Sequence, residues 1–238
     1  MTAELKASRH DATLVLTFAN PGQQNAFDGS VLASAIETLS KAERDDSVRA
    51  IVLTGADQCF CSGVEASKDL ETQVVVLENL QNLIETMRSF PKPIIAAVEG
   101  VAIDAGFSLA LASDLIVAGQ NASFGISPAQ IGTWAVGGAS WFLPQRLPQQ
   151  WVSEILLDAK PLGAARLHAA GLLNKLSADG TALDKALAWA EQLSTSLASA
   201  PTAFEQFKTL LGAASSTTLT ESFSSERHRL LTKRPGTA

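Results

Sequence analysis

Glu99-Gly100-Val101-Ala102-Ile103-Asp104-Ala105-Gly106-Phe107 is the stretch that decides how this chain folds. After Glu99 its residues are β-branched or small, as in a strand, and they lead straight into Phe107-Ser108-Leu109-Ala110-Leu111-Ala112, which has a helical pattern. A helix entered this abruptly leaves its first N–H groups without intrahelical acceptors and presents the positive end of its dipole. A second stretch of similar character, Phe60-Cys61-Ser62-Gly63-Val64-Glu65, closely follows a nearly continuous apolar run at 48–54. Small residues let backbone approach backbone, or a ligand, at short range. Taken alone, the two stretches fit ordinary tight packing between strand and helix. They equally fit two amides converging on one oxygen, an oxyanion hole.

Outward from this centre, residues 12–18 form a short β-branched strand closed by Asn20-Pro21-Gly22. Asp28 is placed to cap a helix in which Val31, Leu32, Ala35, Ile36 and Leu39 recur at helical spacing. The apolar runs at 48–54 and 94–98 predict strands covered on both faces. Between them, 74–90 is helical and is stopped by Pro91-Lys92-Pro93. A further strand is expected at 114–118, and helices at 162–170, 182–197, 202–211 and about 220–231. Strands alternating with helices give an α/β core with a helical C-terminal part. Neither an internal repeat nor a low-complexity tract interrupts it.

Composition restricts the function. The chain has 238 residues, 46% of them hydrophobic, enough to bury a substantial core and to exclude disorder. Eighteen Lys and Arg against twenty-four Asp and Glu give a net charge of −6, which argues against nucleic acid or an anionic membrane as the main partner. The longest apolar stretch, 93–119, carries Glu99, Asp104 and Asp114, too much charge for a membrane span. Residues 1–10 are polar and lack the apolar segment of a secretory signal, so a cytoplasmic location is expected. The two cysteines, Cys59 and Cys61, stand two apart with no further ligands nearby, so reduced thiols are expected and no metal site.

Several chemistries lack their sequence signatures: there is no GxxxxGK[ST], no GxGxxG after a strand, no HExxH and no GxSxG. The three histidines, His10, His168 and His228, sit in unrelated contexts, so a Ser-His-Asp machine has no support.

The two small-residue stretches, in this order and at this separation, resemble the enoyl-CoA hydratase/isomerase (crotonase) superfamily. The likeness runs from Leu14 to about Leu176 through Asn20-Pro21, Asn25-Ala26, the strand at 48–55, Phe60-Cys61-Ser62-Gly63, Glu99-Gly100, Ser113-Asp114, Phe124-Gly125 and Ala169-Ala170-Gly171-Leu172. It implies an α/β spiral of ββα units over 1–198, with a helical region at 199–238 that helps assemble trimers or hexamers. It also implies an acyl-CoA thioester as substrate, with coenzyme A entering as part of that substrate and no separate cofactor. By the same likeness, the backbone N–H groups of Val64 and Ala105 hold the thioester enolate oxygen. Gln24 and the backbone of Ser62, Gly63 and Glu65 fall where relatives hold the nucleotide, and Gly106, Ser108 and Pro128 are expected to bind substrate as well.

The chain departs from the family at the acid/base positions. The two glutamates with which hydratases add water correspond to Ser108 and Pro128, and an aspartate used by some isomerases corresponds to Val136. Water addition needs one group to take a proton from water and another to give one to carbon, and none of these three carries a carboxylate. Asp104, in the first position of the usual glycine triplet, is either a relocated base or a helix cap that accepts from an amide two or three residues on. Two functions remain open: an enzyme on a CoA thioester that hydrates, isomerises or hydrolyses, or an acyl-CoA-binding homologue without turnover. Arg227, Arg229, Lys233 and Arg234 place four cations in the last twelve residues, as a solvated helix end or as a partner for CoA phosphates.

Overall fold

The computed structural model describes residues 3–67, 69–127, 137–198, 200, 202–213 and 221. The C-terminal cations, the helix expected at about 220–231, Pro128 and Val136 lie outside the described residues.

Strands β1 (Glu4–His10) and β2 (Thr13–Ala19) pair antiparallel, Glu4 opposite Ala19 and His10 opposite Thr13. No strand was expected in the polar stretch 1–10. It is an edge strand with its side chains mostly in water, and charge there blunts an otherwise open sheet edge. Helix α1 (Gly29–Glu43) starts at Asp28, whose carboxylate accepts from Val31 N at 2.8 Å, and it buries Val31, Leu32, Ala35, Leu39 and Ala42. Strands β3 (Ala50–Gly55) and β4 (Ile94–Val98) are buried on both faces, as their unbroken apolar sequences require. Helix α2 (Leu70–Ser89) between them begins four residues earlier than its apolar stripe, because Asp69 caps it through Thr72 N at 2.9 Å.

The chain continues through β5 (Val101–Ile103), α3 (Ala105–Ala112), β6 (Leu115–Gly119), β7 (Ser123–Gly125), α4 (Ala139–Phe142) and α5 (Gln149–Asp158). It then passes through β8 (Leu162–Gly163), α6 (Ala164–Ala169), β9 (Lys175–Ser177), α7 (Ala182–Ser196) and α8 (Ala203–Ala213). The main sheet has the order β1-β2-β3-β4-β6-β9 and is parallel from β2 onward. A smaller sheet, β5-β7-β8, stands beside it. The short strands β5, β7, β8 and β9 carry too few residues for periodicity to show them.

Alternate residues of the main strands face opposite layers. Leu14, Leu16, Phe18, Ile51 and Leu53 join the core with α1, α2 and α3. Val15, Val52, Ile95, Ala97 and Val117 meet Ala182, Ala186 and Ala190 of α7, whose small side chains let the helix lie close to the sheet. The start of α7 is held by Glu99, whose Oε1 accepts from Ala182 N at 2.8 Å. Gly119 leaves room for that carboxylate, since a Cβ there would stand 2.3 Å from Glu99 Oε2. The acid that opens the decisive stretch therefore has a structural task. Among the described residues no helix is long and apolar enough to cross a membrane.

Candidate functional site

Two asparagines fix the loop that precedes α1. Asn25 Oδ1 accepts from Asn20 N at 2.8 Å, and Asn25 Nδ2 donates to Ala56 O at 2.9 Å and Cys59 O at 2.6 Å. Asn20 Nδ2 donates to Ala26 O at 3.1 Å and to Glu65 Oε1 at 2.6 Å. These bonds bring residues 20–27 against residues 59–65, where Ser62 N donates to Gln24 O at 3.0 Å and Ser62 Oγ to Gln23 O at 3.0 Å. Phe27 then bridges the turn, its N donating to Gly63 O and its O accepting from Glu65 N, both at 2.8 Å. Gln24, Ser62, Gly63, Val64 and Glu65 are thus gathered in one place. Gln24 is exposed at the rim, and the exposed Glu65 has its carboxylate tied to Asn20.

The other side of residues 59–64 runs parallel to the decisive stretch. Phe60 N donates to Glu99 O at 2.8 Å, Cys61 N to Val101 O at 2.9 Å, and Ile103 N to Cys61 O at 2.9 Å. Cys61 stands opposite Ala102, and two residues further on Gly63 comes beside Asp104, whose Cβ lies 3.3 Å from where a Cβ on Gly63 would be. Glycine is required where the segments touch. A Cβ on Gly106 would meet Cys61 O at 2.4 Å, and Gly63 has φ +122°, which side chains avoid. Cys61 locks the turn from below, its Sγ accepting from Gly63 N at 3.2 Å and donating to Gly63 O at 3.3 Å. Burial pushes the Cys61 thiol far above its ordinary range, so it stays a protonated donor.

Ala105 is the first residue of α3, and its N–H has no acceptor among the described residues. The same holds for Val64 N–H, which faces away from the Phe27 bridge. Each is thus a donor without an acceptor among the described residues, and the one at a helix start stands where an anionic oxygen is favoured.

Asp104 corrects one expectation. It occupies the cap position of α3 but makes no side-chain bond to the helix. A capping aspartate has extended backbone, whereas Asp104 has φ 51° and ψ −114°, which turns its carboxylate off the first-turn amides. The carboxylate instead accepts from Ser127 N and Ser127 Oγ, both at 2.7 Å. Its own N–H donates to Gly125 O at 3.0 Å, so the start of α3 is tied to the end of β7 twice. The carboxylate also leans on the turn, with Oδ2 3.6 Å from where a Cβ on Gly63 would be. Ser108 is fully buried one turn into α3, packed towards Gly137, where an added Cβ would stand 2.8 Å from Ser108 Cβ. Ser127 carries no signal in the sequence, because only the fold brings it to Asp104. The sequence predicts only a reduced thiol at Cys61, and its bonding to Gly63 is equally invisible to spacing.

The model of the enoyl-CoA hydratase/isomerase family matches residues 8–235. The chain is 32% identical over 197 residues to the 1,2-epoxyphenylacetyl-CoA isomerase of Escherichia coli strain K12, covering 79% of this chain and 74% of that protein. It is 30% identical over 193 residues to the 2,3-dehydroadipyl-CoA hydratase of the same strain, covering 80% of this chain and 76% of that one. A crystal structure of an enoyl-CoA hydratase from Polaromonas sp. JS666 superposes with a TM-score of 0.90 at 40% identity, over 95% of this chain and 90% of the other.

Proposed function

Because this chain belongs to the enoyl-CoA hydratase/isomerase (crotonase) superfamily, with the α/β fold of that superfamily, we propose that it binds an acyl-CoA thioester and holds the thioester oxygen between the amides of Val64 and Ala105. The observation that supports this is the parallel pairing of residues 60–61 with 99–103, together with the N–H groups of Val64 and Ala105, neither of which has an acceptor among the described residues. An oxygen that gains charge as the α-carbon loses a proton is stabilised there without reorganisation, and one such donor is typically worth ~2.7–4 kcal/mol. Gly63 and Gly106 keep the two segments close enough for the pair to form, and Cys61 holds the turn. In the same proposal Gln24, Ser62 and Glu65 line the path to the nucleotide, and Ser108 and Pro128 border the acyl group.

Ordinary water addition is not the reaction proposed. Ser108 stands where a hydratase has one glutamate, and Glu65 is bonded to Asn20. Asp104 is the carboxylate against the Gly63 turn, and it is the group we assign to proton transfer at the α-carbon, with Ser127 fixing its orientation. A single carboxylate that removes and returns a proton suits isomerisation or α-exchange, which need no activated water. The second reading, a binding protein without turnover, draws on the same two bonds from Ser127, which leave Asp104 already engaged. Incubation with butyryl-CoA in deuterium oxide separates the two. Incorporation of deuterium at the α-carbon, lost in Asp104→Asn, supports the enzyme; tight binding without incorporation supports the binding protein. Neither binding nor exchange contradicts both. A trimer-based assembly in the cytoplasm completes the proposal.

A further inference from the structure

At the far end of α3 from Ala105, a cavity of about 700 Å³ opens between the core and α8. Its volume lies within the ~300–1,000 Å³ range of small-molecule sites. The charged residues that line it are Arg88, Arg146, Lys208 and Asp114, three cations against one anion. Asp114 is already committed: its carboxylate lies 3.0 Å from Lys208 Nζ, and it accepts from Ile94 N at 2.9 Å. Lys208 Nζ also donates to Met87 O at 2.7 Å. Among the described residues neither guanidinium group makes such a bond, although the Asp114 charge acts on both. Their carbons stand 6.0 Å (Arg88) and 5.3 Å (Arg146) from the centre of the Phe142 ring, and among the described residues no carboxylate pairs with either. Burial and the neighbouring Arg88 lower the Arg146 guanidinium to about 10, against the attraction of Asp114. The rest of the wall is largely apolar, with Leu172, Trp189, Leu193 and Phe204 inside and Trp141 and Phe207 exposed at the mouth.

We infer that this cavity is a second binding site, separate from the Val64–Ala105 amides, for an aliphatic carboxylate whose head group is held by Arg88 and Arg146 and whose chain lies on the apolar wall. The surplus of positive charge selects an anion. Guanidinium forks match a carboxylate's two oxygens, and the apolar wall selects a chain behind the head group. The ligand needs no coenzyme, since it enters at the other end of α3.

The test is calorimetric titration of the full chain with decanoate and with decanol, on the wild type, Arg146→Gln and Arg88→Gln, with circular dichroism checking that each variant is folded. Decanoate is expected to bind, decanol at least tenfold more weakly, and either substitution to weaken decanoate at least tenfold while leaving butyryl-CoA binding unchanged. Equal binding of decanol, or decanoate affinity untouched by both substitutions, overturns the proposal. Sedimentation in the same solutions supplies a further outcome. If decanoate splits an oligomer, the cavity is an interface between copies of this chain and the proposal fails.

Discussion

Ser127 donates twice to the Asp104 carboxylate, from its amide and from its hydroxyl, each at 2.7 Å. The aspartate in the cap position of α3 is instead clamped to the end of β7, with a backbone conformation (φ 51°, ψ −114°) that non-glycine residues rarely adopt. Strain of this kind typically costs ~1–3 kcal/mol and is retained where the surroundings enforce it.

The clamp and the strain can be separated by substitution. Asp104→Gly and Asp104→Ala both remove the carboxylate, but glycine tolerates the backbone and alanine does not. The glycine variant is expected to be more stable than the alanine variant by ~1 kcal/mol. Thermal unfolding of the pair measures it, and an alanine variant at least as stable would remove the strain from the account. Ser127→Ala keeps the carboxylate and loses one of its two bonds, and should lower α-proton exchange while leaving butyryl-CoA affinity close to wild type.

Hydration of crotonyl-CoA should be very slow. One general acid or base contributes roughly 10²–10⁴-fold, and in the function proposed above the two positions used for this correspond to Ser108 and Pro128. Loss of the enoyl thioester's ultraviolet absorbance follows the reaction directly. A rate equal to that of a hydratase with both glutamates would show that other residues had taken over, and Asp104→Asn would then be the first variant to measure.

The buried ion pair gives a prediction in pH. Burial raises the Asp114 carboxyl above its ordinary range and lowers the Lys208 ammonium, in each case against the attraction of the partner. Being raised, the Asp114 group contributes stability that is full below its unfolded value of ~3.9 and is lost as pH climbs through the folded one. Lys208→Met removes its partner and raises it further. The variant should lose ~3–5 kcal/mol at neutral pH and regain part of that as the pH falls towards ~4. Denaturant unfolding of wild type and variant at several pH values checks the sign. A deficit that widened on acidification would contradict it.

The two thiols should differ in the native state. Burial raises both, Cys61 far more than the half-buried Cys59, and the thiolate is the reactive form. Alkylation at mildly alkaline pH is expected to label Cys59 slowly and Cys61 only after denaturation. Cys61→Ala should weaken butyryl-CoA binding, because the Gly63 amide then loses the sulfur that accepts from it.

The core of the fold was legible because its signals are local. Asp28 caps α1 through a bond three residues away, and the apolar runs that became β3 and β4 have the composition of doubly covered strands. β1 was missed because an exposed edge strand is polar, and β7 because three residues hold no period. At the site, the paired stretches at 60–65 and 99–107 were legible, since glycine and small residues mark close approach. The partner of Asp104 was not. A contact between residues 23 apart in sequence is made by tertiary packing, and spacing carries no trace of it. The arginines beside Phe142 escaped for the same reason, coming from α2 and from the segment after α4.

A crystal structure of the butyryl-CoA complex decides whether the amides of Val64 and Ala105 receive the thioester oxygen. That oxygen is expected at ~2.7–3.1 Å from both nitrogen atoms, with the acyl chain passing Asp104. A bound thioester whose oxygen lies beyond hydrogen-bond reach of either amide would contradict the proposal.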